Sequence, residues 1–402
     1  MKAAYRNCPI CKSGQMSKQI ELDVYDFDDV SLERNLVIVS CENCGMIYNG
    51  CRVDDNDLDS YYENDAVYDS VEGVGSGGLT QWDVDRYNGY LEFFEAIPVN
   101  KDIMLTDVGC ARGGFLAYLR EHGFTAVSGV EINPRCAQYA LTNYSVHVDI
   151  GAANKLPLPD NSRDFLTYNH VFEHVNDLYR VIKEANRVLK KDGMLFIDVP
   201  DASRYGDCSI SNFYPASIRE HINHFDVYHL QMVLKIAGFD CVKCDQRLAS
   251  YQSRFVLPTI AGVFRKSTII QPQHPVKIVR NDALIKSFAK YIEDGHFALN
   301  NSRKLVSEIE RSNKPVYVWG LGLEFFGLYG MAGIKDCNVK KLIDKNLQKQ
   351  SRKVDGLEVV GPEILLNVPD NSCVFLTSAQ HKDDMLTHLK KIQFRGEVIP
   401  LS

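Results

Sequence analysis

This chain of 402 residues has no surplus of positive charge: 45 lysines and arginines face 52 aspartates and glutamates, a formal net charge of −7. A protein that grips nucleic acid by its phosphates is basic overall or carries a basic stripe, so no nucleic-acid partner is expected. No apolar run approaches the roughly 18 residues of a membrane-spanning helix, and no membrane association is expected. The opening MKAAYRNCPICKSG lacks the apolar core, about 7–15 residues long, of a secretory signal. No period of about 20–50 residues recurs, which excludes a repeat array. What is there is the mix of a folded soluble protein, 45% hydrophobic and 24% charged, which excludes disorder of the whole chain. At about 150 residues per domain the length suggests two or three domains.

Twelve cysteines without an export signal point to a reducing, cytoplasmic setting. There, paired Cys-x-x-Cys motifs mean metal or packing before disulfides.

Along the chain three blocks stand out, read as domains over 1–51, 52–268 and 269–402. The second opens on SVEGVGSGGLTQ (70–81), expected to be a mobile loop. It then alternates strands (103–109, 126–132, 164–170, 194–200) with helices (Gly114 to His122, from Pro134, and near 177–191). That order predicts βαβ units and a mostly parallel sheet. Helical apolar spacing over 224–238 ends at Gly238, the expected C-cap. TIIQPQHP reads as a linker, followed to about Asn313 by one long amphipathic helix, or two with a break near Gly295. The third block starts with PVYVWG (315–320) and repeats the strand–glycine turn–helix–strand order through KKLIDKN (340–346).

The first block carries two cysteine knuckles, Cys8-Pro-Ile-Cys11 and Cys41-Glu-Asn-Cys44-Gly45, separated by 29 residues. Four thiolates on two tight turns suit tetrahedral Zn²⁺, and an all-protein ligand set implies a closed structural site. Cys51 is a spare candidate. A third pair, Cys241 and Cys244, has no partner pair and is expected to be buried and structural.

In the middle block Asp107-Val-Gly109-Cys-Ala111-Arg-Gly113-Gly114 follows a strand and opens a helix. Glycines there let the backbone approach a ligand closely. The next strand ends in Glu131, placed to accept from both ribose hydroxyls of a nucleoside. A dehydrogenase shows Gly-x-Gly-x-x-Gly with no acid before the first glycine, whereas Asp107 suits a cationic amino-acid moiety. This turn resembles motif I of the class I S-adenosylmethionine methyltransferases. Asn154-Lys-Leu-Pro157-Leu-Pro-Asp160 and Asn169-His170-Val-Phe-Glu173-His174 resemble that family's later motifs. The resemblance covers about 103–240 and implies that Asp107, Gly109, Ala111, Gly113, Glu131, Ala153 and Asn169 hold S-adenosylmethionine. Where the family often places an acid for the adenine amino group this chain has Ala152, so adenine would lean on backbone and on neighbours such as Ala153.

Glu220-His221-Ile-Asn-His224-Phe225 precedes the 224–238 helix. In a methyltransferase sheet this loop lies beside the methyl donor. A carboxylate beside a histidine can raise the ring's basicity or hold its orientation. His221 is read as the base and His174 as its auxiliary. In the third block Trp319-Gly320-Leu-Gly322 and a strand ending at Asp344 fit either a nucleotide site or a Rossmann-like scaffold that binds nothing by itself.

Zinc knuckles, a methyltransferase domain and a Rossmann-like tail together resemble the sugar C-methyltransferases that act on nucleotide-linked keto-deoxysugars. The resemblance implies an α/β protein with structural zinc, a nucleotide-sugar substrate shaped partly by the tail, and Glu220-His221 abstracting a proton beside a ketone. It also implies a helpful tyrosine in the early loop, for which Tyr68 is the candidate with Tyr61 and Tyr62 nearby. The family commonly has a tyrosine three residues before the histidine, where this chain has Ile218. O-methylation of a sugar or small metabolite is the sister reading. A zinc-containing RNA base methyltransferase and a non-catalytic scaffold are the rivals from other classes. The chain is expected to act as a monomer or dimer.

Overall fold

The computed structural model describes residues 5–30, 32–65, 77–97, 99–208, 213–251, 255–267, 277–378 and 381–400. The chain forms two compact units that are not consecutive stretches. One holds Met1–Gln19, Ile38–Ser209 and Glu220–Ala289; the other holds Ile20–Val37, Ile210–Arg219 and Lys290–Ser402.

The chain begins with β1 (Met16–Asp23), β2 (Asn35–Cys41) and β3 (Ile47–Asn49), then α1 (Asp55–Ser60) and α2 (Gln81–Glu95). There follow β4 (Leu105–Val108), α3 (Gly114–Glu121), β5 (Val127–Glu131), α4 (Pro134–Tyr144), β6 (Val148–Ile150), β7 (Arg163–Asn169), α5 (Leu178–Val188) and β8 (Leu189–Pro200). A two-residue strand β9 (Asn223–His224), α6 (Val227–Ile236) and a long hairpin of β10 (Phe239–Tyr251) and β11 (Phe255–Lys266) complete the run. The sheet order is β10-β11-β8-β7-β4-β5-β6. Its β11 pairs antiparallel with both neighbours, and the remaining pairings are parallel.

Local signals explain these elements. Pro134 opens α4 at a position where its missing amide costs nothing, and the Asn133 side chain accepts from the amides of Arg135 and Cys136. Asp226 caps α6 by accepting from His229, and Gly238 then turns with φ 88. On α5 the buried residues are Leu178, Val181, Ile182, Ala185 and Val188, one stripe at helical spacing. Phe94 packs edge-on against Phe165 and Phe196, with centroids 5.3 and 4.9 Å away, in the core beneath the sheet. Those layers leave the C-terminal ends of β4, β5, β6 and β7 together at one edge.

The second unit is built on α7 (Asp282–Ser312), β12 (Val316–Trp319), α8 (Leu323–Met331), β13 (Val339–Ile343), β14 (Lys353–Val354), β15 (Leu357–Val360), β16 (Cys373–Leu376), α9 (Lys382–Lys391) and β17 (Glu397–Pro400). Its sheet order is β14-β15-β13-β12-β16-β17, with only β14 antiparallel to its neighbour. Trp319, Ile343, Val374, Leu376 and Met385 form its core. The segment 20–37 joins this unit through Tyr25 on Tyr329 and Phe27 on Phe326, centroids 4.9 and 5.1 Å apart.

One open alternative is settled and one expectation changes here. Of the one or two helices expected before Asn313 there is one, and α7 runs through Gly295 without a break. The glycine serves packing instead, since a Cβ there would stand 2.5 Å from the Phe213 ring. Cys241 is exposed rather than buried, because its strand β10 ends the sheet and turns that side chain outward; Cys244 is half-buried. The linker at 268–275 and residues 70–76 lie outside the described residues, apart from Gly77 onward.

Candidate active site

The two knuckles meet. Cys8 Sγ lies 3.6 Å from Cys44 Sγ and Cys11 Sγ 3.3 Å from Cys41 Sγ, with all four sulfurs within 4.8 Å of one another. A tetrahedron of sulfurs with metal bonds of about 2.3 Å has edges of about 3.8 Å, so the set is compatible with one zinc ion. Gly45 turns with φ 88, its amide donates to the Cys41 carbonyl at 2.9 Å, and a Cβ there would strike the Asn281 carbonyl at 2.5 Å. His229 secures the knuckle from α6, its Nε2 lying 3.0 Å from the Cys44 carbonyl. Cys51 is not part of this group; it sits in an isolated bridge with Tyr5.

At the end of β4, three residues of the glycine-rich turn are left-handed: Gly109 (φ 74), Ala111 (φ 45) and Gly113 (φ 75). Gly114 donates to the Gly77 carbonyl at 2.8 Å, an approach only a residue without Cβ permits, since a Cβ would fall 1.9 Å from the Gly78 oxygen. Glu131, at the end of β5, accepts from the amide of Ala111 at 2.7 Å and from that of Asn133 at 3.0 Å. Asp107 accepts from the Thr167 hydroxyl at 2.6 Å and from Asn169 Nδ2 at 2.9 Å. Burial pushes the Asp107 carboxyl up to about 7, and burial also raises Glu131. Asn169 Oδ1 is buried with no partner among the described residues. Ala153 is half-buried just past β6, beside the Ala152–Lys155 bridge. The turn thus offers a backbone cradle, two buried carboxylates and an unsatisfied amide oxygen on neighbouring strands. These fit a ligand with hydroxyls and a cationic amino-acid group.

The histidines lie further along the same edge. His221 and His174 meet edge-on with centroids 4.7 Å apart, and His174 Nδ1 lies 3.1 Å from the Glu220 carbonyl. Glu173, His174 and His221 each bring a polar atom within 4.8 Å of the others. His221 Nδ1 is buried and unpartnered among the described residues. Burial, then the neighbouring His174, His224 and His170, hold His221 well below the usual histidine range, so the ring is neutral. The Glu220 carboxylate accepts from the Tyr61 hydroxyl at 3.5 Å. The Tyr62 ring packs edge-on against His174 at 5.6 Å. Tyr68 lies outside the described residues. His224 is pinned by the Tyr205 hydroxyl at 3.0 Å, and burial lowers it to about 3.

His170 did not stand out in the sequence. Its ring lies 2.9 Å from Glu173 and 3.3 Å from Asp198 on β8. The His-x-x-Glu spacing was visible, but Asp198 is a partner only the sheet supplies.

In the second unit the amide of Leu321 donates to Asp344 Oδ2 at 3.1 Å. Lys349 Nζ reaches the same oxygen at 3.1 Å and the Leu321 carbonyl at 2.8 Å. The acid that could hold a ribose is therefore already paired with a lysine of its own loop.

Comparison with known proteins matches residues 86–244 to the family model described as "Methyltransferase domain". With its sheet order, that segment is a Rossmann-like class I methyltransferase domain. Ubiquinone biosynthesis O-methyltransferase of Pelagibacter ubique is 32% identical over 101 residues, 24% of this chain and 42% of that protein. The mitochondrial arginine-hydroxylase NDUFAF5 of Rattus norvegicus is 33% identical over 94 residues, 22% of this chain and 26% of that protein. The match thus spans less than half the length of either relative. The solved structure of the YcgJ protein from Bacillus subtilis covers 45% of this chain and 98% of its own, at 16% identity and TM-score 0.38.

Proposed function

We propose that the chain is an S-adenosylmethionine-dependent methyltransferase that methylates carbon on a nucleotide-linked keto-sugar, with His221 as general base. The observation that carries this reading is continuity along one strand end. Asn169 donates to Asp107 at the end of β4, just before the glycine turn, and the residues that follow it, 170–174, lead directly to the His174–His221 pair. In this reading residues 1–51 are a zinc module held by Cys8, Cys11, Cys41 and Cys44. Residues 52–268 bind the methyl donor, and 269–402 are a Rossmann-like substrate-binding domain.

S-adenosylmethionine supplies an electrophilic methyl when bound. Asp107 would hold its amino group and Glu131 its ribose hydroxyls, with the amides around Gly109, Ala111 and Gly113 lining the turn beside it. His221, neutral and with a bare ring nitrogen, takes the proton α to the ketone. His174 orders the flank of that ring, and Tyr61 donates to the Glu220 carboxylate beside it. General base catalysis of this kind contributes roughly 10²–10⁴-fold, and holding both reactants in place supplies much of the rest.

Ile218 supports the second reading, O-methylation of a sugar or small metabolite. The tyrosine that the keto-sugar enzymes commonly carry there is replaced by an apolar side chain, 9% exposed. Incubation with a panel of nucleotide keto-sugars in deuterated water separates the two. Carbon methylation predicts exchange of the α-proton by the enzyme and a product methylated at carbon. A product methylated at oxygen overturns the first reading.

A further inference from the structure

The turn after β7 holds a histidine that methyl transfer leaves without a role. His170 adopts a left-handed backbone, φ 55, a conformation uncommon for a residue with a Cβ. Its amide donates to the Asp198 carbonyl at 2.8 Å. Its ring is engaged at both nitrogens, with Nδ1 2.9 Å from Glu173 Oε1 and Nε2 3.3 Å from Asp198 Oδ2. Asp198 Oδ2 also accepts from the Tyr90 hydroxyl at 2.7 Å, and both carboxylates are 1% exposed. A neutral imidazole has one donor and one acceptor; only the doubly protonated ring satisfies an acceptor on each side. Burial alone lowers His170, but Asp198 and Glu173 outweigh it and raise the ring to about 9.

Glu173 leads directly into the candidate base pair. Its Oε1 lies 3.8 Å from His174 Nε2, while His174 Nδ1 faces the Glu220 carbonyl at 3.1 Å. A carbonyl only accepts, so Nδ1 carries the proton of a neutral His174. On its other side His174 meets the His221 ring.

We propose that His170 is a positioning residue: clamped between Glu173 and Asp198, it locks the turn 170–174 and thereby fixes the pose in which His174 presents Nδ1 to the Glu220 carbonyl and its ring to His221. The proposal rests on the reading of His221 as base. It explains why a strained backbone and two buried carboxylates are kept at this strand end.

The groups that face His170 are Glu173 on its own turn, Asp198 on β8 and His221 in the 220–224 segment. Tyr90 from α2 and Arg247 from β10 act on it through Asp198. The test is a nitrogen-15 NMR titration of the histidine rings in the intact protein and in two variants. In the wild type, His170 should stay doubly protonated until near pH 9, with His174 protonated at Nδ1 at neutral pH. In Asp198→Asn a neutral amide replaces one carboxylate, and the His170 midpoint should fall by about one unit or more. In His170→Gln the His174 ring should become a mixture of tautomers, while S-adenosylmethionine affinity by calorimetry changes by less than about threefold. A neutral wild-type His170 at pH 7, an unmoved midpoint in Asp198→Asn, or an unchanged His174 tautomer in His170→Gln would each overturn the proposal. If His170→Gln does not fold, the wild-type and Asp198→Asn titrations still decide. None of these signals needs turnover, so failure of the clamp shows here, whereas failure of His221 as base shows in the turnover of His221→Ala.

Discussion

Asp107 is 3% exposed, and burial lifts its carboxyl to about 7 despite the hydrogen bonds from Thr167 and Asn169 that favour the ionised form. The sign of the consequence differs for folding and for binding. An unfolded chain releases this proton in the ordinary carboxylate range. Between that range and pH 7 the native state therefore binds more protons than the unfolded one, and Asp107 makes stability fall as pH rises. A cationic amino group seated on Asp107 favours the ionised carboxylate, so affinity for S-adenosylmethionine should rise over the same interval. Calorimetric titrations should show binding about tenfold weaker at pH 6 than at pH 8, with Asp107→Asn removing the dependence. A flat profile in the wild type would place the amino group elsewhere. Asp107 and Glu131 were legible in the sequence because both terminate apolar strands beside a glycine turn, a purely local pattern. The His170 clamp was not, because Asp198 reaches it only after β7 and β8 pair.

Among the elements, α7 sets two principles against each other at Gly295. Helix propensity favours Gly295→Ala by about 1 kcal/mol. Packing opposes it, because the new methyl would stand 2.5 Å from Phe213, a ring 1% exposed. Overpacking of that kind costs about 1–3 kcal/mol, so the variant should be less stable than the wild type. Thermal melting checks this, and a higher melting temperature for Gly295→Ala would show that Phe213 yields. The same residue shows where sequence reading stops. Glycine in a helical pattern signals a break when only propensity is visible, and a close approach once the neighbour is known. Strands β4, β5, β7 and the end of β8 were readable from their alternation with helical stretches, the order of βαβ units. The exposure of Cys241 was not, because it depends on β10 being the edge.

At the scale of the molecule, sequence-distant segments close the first unit on the cysteine knuckles. Cys44 receives hydrogen bonds at its carbonyl from the Asn281 amide and from His229, and Tyr179 donates to the Ile10 carbonyl at 2.8 Å. A metal that holds the knuckles therefore supports more than the first fifty residues. Elemental analysis of protein purified without chelator should find about one zinc per chain. Cys11→Ser or chelation should lower the melting temperature, and protein free of zinc with unchanged melting would contradict this. The interleaving of 20–37 with 290–402 was invisible in the sequence, since its contacts, such as Tyr25 on Tyr329, span some three hundred residues.

The central claim is that a methyl donor bound at Asp107 and Glu131 reacts where His221 can take a proton. The most direct test compares wild type and His221→Ala for methyl transfer from S-adenosylmethionine to nucleotide keto-sugars, read by mass spectrometry alongside cofactor affinity. The wild type should add one methyl group to a sugar of the panel. His221→Ala should turn over at least about 10²-fold more slowly while binding the cofactor equally well, the signature of a lost transition-state interaction. Turnover by His221→Ala close to the wild-type rate, or no methyl transfer by the wild type to any sugar offered, would contradict the account.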